Sequence, residues 1–341
     1  MRIGLLTGGG DCPGLNAVIR AVVLDTLRRD GECVGVLEGW RGLIDDATRR
    51  LGRDDVRSIL HQGGTILRTS RTNPFRSADA VERLLATWKK LELDALVAIG
   101  GEDTLGVAAR LFREFDLPIV GVPKTIDNDL SGTDYTFGFD TAVSIATDAI
   151  DRLATTAESH NRVIVVEVMG REAGWIATHA GIAGGAAFIA IPEREVSVAE
   201  IGRAVRARAE AGQSYSIIVV AEGAAVAGLG RGRRSAADEF GHALLGGIGQ
   251  QVADALEAET GFETRVTVLG HIQRGGSPTA YDRVLATRLG LHASELAHKG
   301  DFGRMAALSG AEITSVTLEE AVAEVKTVPS ELSELAAIVS G

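Results

Sequence analysis

The chain has 341 residues but only two cysteines, Cys12 and Cys33, and no Cys-x-x-Cys pair. Two isolated thiols cannot staple a small scaffold, so a disulfide framework is excluded and a reducing cytoplasm is the simplest setting. No apolar run approaches the roughly 20 residues that a bilayer-spanning helix needs, which argues against a membrane partner. The opening residues Met1-Arg2-Ile3-Gly4-Leu5-Leu6-Thr7 are too short and too broken by glycine for a signal peptide, and read as a strand entering a glycine loop. Lysine is scarce, with five against thirty arginines. Codon usage in a GC-rich genome explains that imbalance, and so does phosphate clamping by planar guanidinium groups; the bulk count does not separate them. Positive charge is short overall. A net charge of −11 argues against nucleic acid as the main partner. The chain also has no Gly-Lys dipeptide, and therefore no Walker A loop.

The residues present describe an ordinary globular chain, 45% hydrophobic and 24% charged, long enough for two packed lobes. Short apolar, β-branched runs recur at 3–7, 33–37, 95–99, 119–122, 163–168, 187–191, 216–221 and 265–269. Stretches of helical period separate most of them, at 17–29, 80–91, 105–115, 141–157, 198–211, 246–259 and 281–296. This alternation predicts an α/β fold of two lobes, each a largely parallel sheet flanked by helices. The turn Thr136-Phe137-Gly138-Phe139 marks the lobe boundary. Residues 228–238, rich in glycine and arginine, read as an exposed, solvated turn. The tail after about 312 reads as amphipathic and is expected on the second lobe.

In open parallel sheets, ligands lie beyond the carboxyl ends of the strands. The glycine and polar loops fall there, at 7–14, 100–104, 122–129, 169–174, 221–223 and 270–277. Gly8-Gly9-Gly10-Asp11-Cys12-Pro13-Gly14 fits a dinucleotide loop poorly, because Pro13 stands at the third glycine position. Phosphate binding by another kind of glycine loop, or a purely structural turn, remains. Glu102 and Asp103 are either acidic residues at a helix start or, for Glu102, a ligand of Mg²⁺ carried by phosphates. Two acids beside an anion site need cations nearby, and Lys124, Arg71 and Arg171 can supply them. Asp127-Asn128-Asp129 reads alone as an Asx-turn or helix cap. Beside the other loops it suits phosphoryl transfer: Asp127 to accept a proton, Thr125 to donate a hydrogen bond, Lys124 to offer charge. Arg162, Arg171, Arg265 and Arg274, with His271, can hold a phosphate ester, and Glu222 can accept from sugar hydroxyls. This whole set is expected on the carboxyl edge.

Five stretches, in order, then carry a resemblance: Gly9-Gly10-Asp11-Cys12-Pro13-Gly14-Leu15-Asn16, residues 123–129, Val168-Met169-Gly170-Arg171, residues 269–278, and Tyr281-Asp282-Arg283. Together they resemble the 6-phosphofructokinases of the phosphofructokinase A type. The resemblance implies phosphoryl transfer to the 1-hydroxyl of fructose 6-phosphate, with the active site in a cleft between a donor-phosphate lobe (1–140 plus about 278–311) and a sugar-phosphate lobe (141–277 plus about 312–341). It implies Asp127 as proton acceptor, with Thr125, Lys124 and Arg171 beside it, and Glu102 as the magnesium-side acid. Gly10, Arg71, Asp103, Thr104 and Lys124 would face the donor. Met169, Gly170, Arg171, Glu222, His271 and Arg274 would face the sugar phosphate. Arg162 and Arg265 match arginines lent across a subunit interface, which implies a homodimer or homotetramer.

At the donor loop, ATP-using bacterial members usually carry Gly-Gly-Asp-Gly, where this chain has Gly100-Gly101-Glu102-Asp103. With Lys124 replacing a common glycine, the pattern resembles the pyrophosphate-using members. An Asp103 carboxylate would fill and repel the place of a nucleotide α-phosphate. The expected reaction is therefore pyrophosphate:fructose 6-phosphate phosphotransfer with Mg²⁺, reversible and cytoplasmic. The alternatives are an ATP-dependent phosphofructokinase and a non-catalytic sugar-phosphate sensor; a dehydrogenase is more distant.

Overall fold

The computed structural model describes residues 1–229 and 246–339. The chain begins with β1 (Arg2–Thr7), α1 (Leu15–Arg28), β2 (Glu32–Val36), α2 (Trp40–Ile44), β3 (Thr48–Leu51), α3 (Ala78–Leu91), β4 (Ala95–Gly100), α4 (Glu102–Phe115) and β5 (Ile119–Pro123). It continues with α5 (Phe139–His160), β6 (Val163–Val168), α6 (Trp175–Ala183), β7 (Phe188–Ala190), β8 (Val196–Ser197), α7 (Val198–Glu210), β9 (Ser216–Ala221) and β10 (Val226–Ala227). Then come α8 (Ile248–Thr260), β11 (Thr264–Val268), α9 (Ala280–Lys299), β12 (Arg304–Ser309), β13 (Glu312–Thr317), α10 (Leu318–Ala321) and α11 (Ser330–Val339). Most of the predicted 228–238 turn lies outside the described residues.

The elements divide into two compact units. The first holds Met1–Ile126, Leu130–Thr141 and Arg274–Val325. Among the described residues, the second holds Asp127–Asp129 and residues 142–229, 246–273 and 326–339. The first sheet runs β13-β12-β5-β4-β1-β2-β3, parallel except for its antiparallel edges β13 and β3. The sheet of the second unit runs β11-β6-β9-β7 and is parallel throughout. The fold is thus α/β, with two largely parallel sheets flanked by helices. The near-continuous burial of β1, β4, β5, β6 and β9 explains why they read as unbroken apolar runs: helices cover both faces.

Three differences from the sequence expectation have a physical cause. The sequence pattern does not predict β3, β8, β10, β12 or β13; β3 is short, polar and on an edge, and β8 and β10 are two residues each. The hairpin from β12 to β13, turning at Gly310 (φ 58°), pairs Ser309 with Glu312. That pairing carries residues 312–325 with the first unit, not the second, and the tail changes unit only at Lys326. The return crossing falls between Gln273 and Arg274, ahead of the expected position near 278.

A buried carboxylate fixes the start of α5. Asp282, fully buried on the first turn of α9, accepts from the Thr141 amide at 2.8 Å and from the Thr141 hydroxyl. The Thr279 amide donates to that hydroxyl at 3.1 Å, and the Thr279 side chain caps α9 through the Asp282 amide. Burial pushes the Asp282 carboxyl up to about 6. A carboxyl raised on folding favours the folded state while protonated. Its contribution is intact below the unfolded value and lost as pH rises through the folded one. The variant Asp282→Asn, which keeps an acceptor for Thr141, should therefore gain on the wild type by up to roughly 3 kcal/mol between about pH 4 and pH 7. Urea unfolding across that range checks it; a difference flat in pH would refute it.

Candidate active site

In the first unit the glycine loop after β1 is built around its neighbours. The Gly8 amide donates to Ile99 O and the Gly9 amide to Ser70 O, each at 3.0 Å, while Thr69 Oγ1 donates to Gly9 O at 2.6 Å. A Cβ on Gly8 would stand 2.4 Å from Thr104 Oγ1, and one on Gly10 would stand 2.7 Å from Arg274 Nη1. Glycine is needed at position 8 for close approach, while at Gly10 the arginine tip could shift aside. The carbonyls of the loop are held by cations. Lys124 Nζ donates to Gly10 O at 2.7 Å, and Arg274 Nη1 donates to Asp11 O at 3.3 Å. Lys124 is buried, so its ammonium depends on such acceptors.

The second loop opens α4 directly. The helix starts at Glu102, before the expected start near Thr104, and its N-cap Gly101 makes no side-chain cap. Glu102 (exposed) and Asp103 (half-buried) therefore occupy the first turn, where the helix dipole favours carboxylates. Thr104, behind them, is buried. Arg71 is exposed, on the segment after Ser70.

The 123–129 segment follows β5 and passes from one unit to the other between Ile126 and Asp127. In the first unit Lys124 N donates to Gly100 O at 3.0 Å, and Thr136 Oγ1 donates to Thr125 O at 2.7 Å. In the second unit Asn128 adopts φ 50° and is fully buried, its Oδ1 accepting from Lys326 Nζ at 3.0 Å. Asp127 is half-buried beside it.

The sugar-side candidates of the second unit gather at the carboxyl ends of β6, β9 and β11. The Glu222 amide donates to Val168 O at 2.8 Å, and the Gly223 amide to Gly170 O at 3.0 Å, which joins the loop of Met169, Gly170 and Arg171 to that of Glu222. Gln273, fully buried, accepts from Met169 N at 3.3 Å and donates to Gly270 O at 3.0 Å, tying in the loop of exposed His271. Arg171 Nε lies 3.9 Å from Glu172 Oε1.

A family model described as phosphofructokinase matches residues 2–297. The chain belongs to the phosphofructokinase family, a family of phosphotransferases. It is 58% identical to a pyrophosphate--fructose 6-phosphate 1-phosphotransferase of Amycolatopsis methanolica, over 100% of both chains. It is also 53% identical to ATP-dependent 6-phosphofructokinase 3 of Streptomyces coelicolor, over 96% of this chain and 97% of that one. Among solved structures, the phosphofructokinase of Pichia pastoris in the T-state superposes with a TM-score of 0.84 at 32% identity, over 99% of this chain and 36% of that longer one.

Within this phosphofructokinase two sequence expectations change. Arg162 and Arg265 do not share the carboxyl edge with Arg171 and Glu222. Arg162 immediately precedes β6, and Arg265 pairs in register with Ile164, so both lie at the amino ends of parallel strands, on the order of 15 Å from the carboxyl edge. There they share Glu263, Arg162 at 2.8 Å. Arg274, expected with His271, places its guanidinium against Gly10 and Asp11 of the glycine loop after β1. The strand runs were readable from the chain, but which strands are neighbours in each sheet was not.

Two residues absent from the sequence reading, Trp175 and Lys326, also hold these loops, and Asn128 and Gln273, read there only as parts of motifs, hold them through their side chains. The one available signal was rarity, since Lys326 is the only lysine of the tail. The Arg274 placement has a kinetic consequence. Arg274→Ala should raise KM for the phosphoryl donor by about tenfold, the scale of one charge-assisted hydrogen bond, and KM for the sugar phosphate by less. Steady-state kinetics with each substrate varied in turn check this; the reverse order would return Arg274 to the sugar side.

Proposed function

We propose that this phosphotransferase moves a phosphoryl group from pyrophosphate to the 1-hydroxyl of fructose 6-phosphate, releasing phosphate and fructose 1,6-bisphosphate. The observation that carries the donor assignment is Asp103, half-buried in the first turn of α4 beside Glu102. A carboxylate there occupies and repels the position a nucleotide α-phosphate would need, and leaves room for the smaller donor. The name of the Amycolatopsis relative supports the same donor; that of the Streptomyces relative keeps ATP as the second reading.

The hydroxyl oxygen attacks the near phosphorus, the bridging P–O bond breaks, and phosphate leaves. Asp127 accepts the hydroxyl proton. Lys124 and Arg274 hold the Gly10–Asp11 backbone, so that loop amides can meet the donor without rearranging. Thr125 and Arg171 orient the transferred group, while Met169, Gly170, Glu222 and His271 hold the sugar phosphate. Among the described residues no group of three His, Cys, Asp or Glu forms a metal cage. Mg²⁺ arriving on the phosphates would need only one or two protein carboxylates, and Glu102 would supply one. When bound, the ion would neutralise phosphoryl oxygens. The donor anhydride and the sugar ester lie closer in free energy than when ATP is the donor, so the reaction runs both ways. Arg162 and Arg265, far along the strands from Arg171, suit a role in the site of a second copy in a homodimer or homotetramer. No helix among the described residues is long and apolar enough to cross a membrane; a cytoplasmic setting agrees with these substrates.

Assays with each donor test the reading: turnover with pyrophosphate and little with ATP is expected, and efficient ATP use with negligible pyrophosphate use would sink it. Binding of fructose 6-phosphate without turnover of either donor would favour a sensor instead. Asp103→Gly should raise ATP use relative to pyrophosphate use. Asp127→Ala should lower kcat by roughly 100- to 10,000-fold with a smaller change in sugar KM; unchanged turnover removes Asp127 from the base role.

A further inference from the structure

The tail of the chain rejoins the second unit at Lys326, against the loop that carries Asp127. The Lys326 amide donates to Asp129 O at 2.9 Å, and its ammonium donates to Asn128 Oδ1 at 3.0 Å. Its carbonyl accepts from Trp175 Nε1 at 2.8 Å, and the ammonium lies 5.3 Å from the centre of the Trp175 ring. Two residues on, the Val328 amide donates to Glu193 Oε1 at 2.9 Å. The same carboxylate accepts from the Gly174 amide at 2.9 and 3.1 Å. Gly174 and Trp175 close the loop that carries Arg171. One short segment therefore ties together two loops of the candidate site inside a single unit.

The tie bears on a strained residue. Asn128 holds a left-handed backbone at φ 50° while fully buried. Asparagine tolerates that region better than most residues, but still at a cost. A buried amide oxygen also needs a donor, and an ammonium is a strong one. The Trp175 face favours a cation at the same place. Asp127 is the adjacent residue, so a change in the Asn128 backbone swings its carboxylate.

We propose that Lys326 is a positioning residue: acting through Asn128, it holds the left-handed turn that presents the Asp127 carboxylate. This rests on the reading of Asp127 as proton acceptor. The C-terminal segment is thereby part of the catalytic arrangement.

The test measures kcat and KM for fructose 6-phosphate in Lys326→Met, Lys326→Arg, Asn128→Ala, Lys326→Met/Asn128→Ala and Asp127→Ala, with folding followed by circular dichroism. Methionine keeps an apolar stem on Trp175 but cannot donate. It should lower kcat on the order of 10- to 100-fold, the cost of a misplaced reacting group, with KM held within about twofold. Arginine, which can donate and stack, should recover most of the loss. Asn128→Ala should reproduce the methionine result, and the double variant should fall no more than about threefold below the worse single one. Asn128→Ala alone serves if Lys326→Met does not fold. Wild-type kcat in Lys326→Met or Asn128→Ala, with Asp127→Ala inactive, overturns the positioning role and leaves the base reading standing. Multiplicative losses in the double variant overturn the route through Asn128. An active Asp127→Ala overturns both readings.

Discussion

The structure turns on how one seven-residue segment, 123–129, is held at each end by a lysine. Lys124 reaches back to the Gly10 carbonyl, and Lys326 reaches the Asn128 side chain. Lys124 is buried and Lys326 half-buried, and an ammonium taken from water is costly unless its donors are met, so each lysine demands a neighbour and fixes it in return. In a chain with only five lysines, two are committed to this segment. The rest of the glycine loop after β1 follows from the first contact. Once Gly10 O is fixed, Arg274 can take Asp11 O, and Gly8 must stay small enough to lie on Thr104.

The acids at the start of α4 combine two roles. At an N-cap glycine without side-chain capping, first-turn carboxylates stabilise the helix whatever ligand is present. On the proposed reading, the same charge at Asp103 is what discriminates among anionic donors. Selectivity of this kind needs no extra structure, only an acid in place of a glycine. That economy agrees with pyrophosphate-named and ATP-named relatives both exceeding half identity to this chain.

Much of this was legible in the chain because parallel strands covered on both faces appear as apolar runs, with the functional loops at their ends. The runs at 95–99, 163–168 and 216–221 fall within β4, β6 and β9. The acidic and glycine loops after them could be located without coordinates. What was not legible depended on pairing. Arg162 precedes the run at 163–168 and Arg265 opens the run at 265–269, so parallel strands by themselves put both at amino ends; only the pairing of β11 with β6 reveals that the two arginines meet at one Glu263. The polar edge strand β13 had no strong pattern, and so the tail seemed to belong to one unit from residue 312 onward.

By itself the sequence determined the fold class, the order of the loops and the residue types available for phosphoryl transfer, because burial periodicity and local turn chemistry are properties of neighbouring residues. Only the tertiary structure decided which of those residues meet. It set Arg274 against Asp11, brought Arg162 and Arg265 to one Glu263, and brought Lys326 to Asn128 across 198 positions of chain. Such contacts arise from strand register and packing between distant segments, which no local pattern encodes.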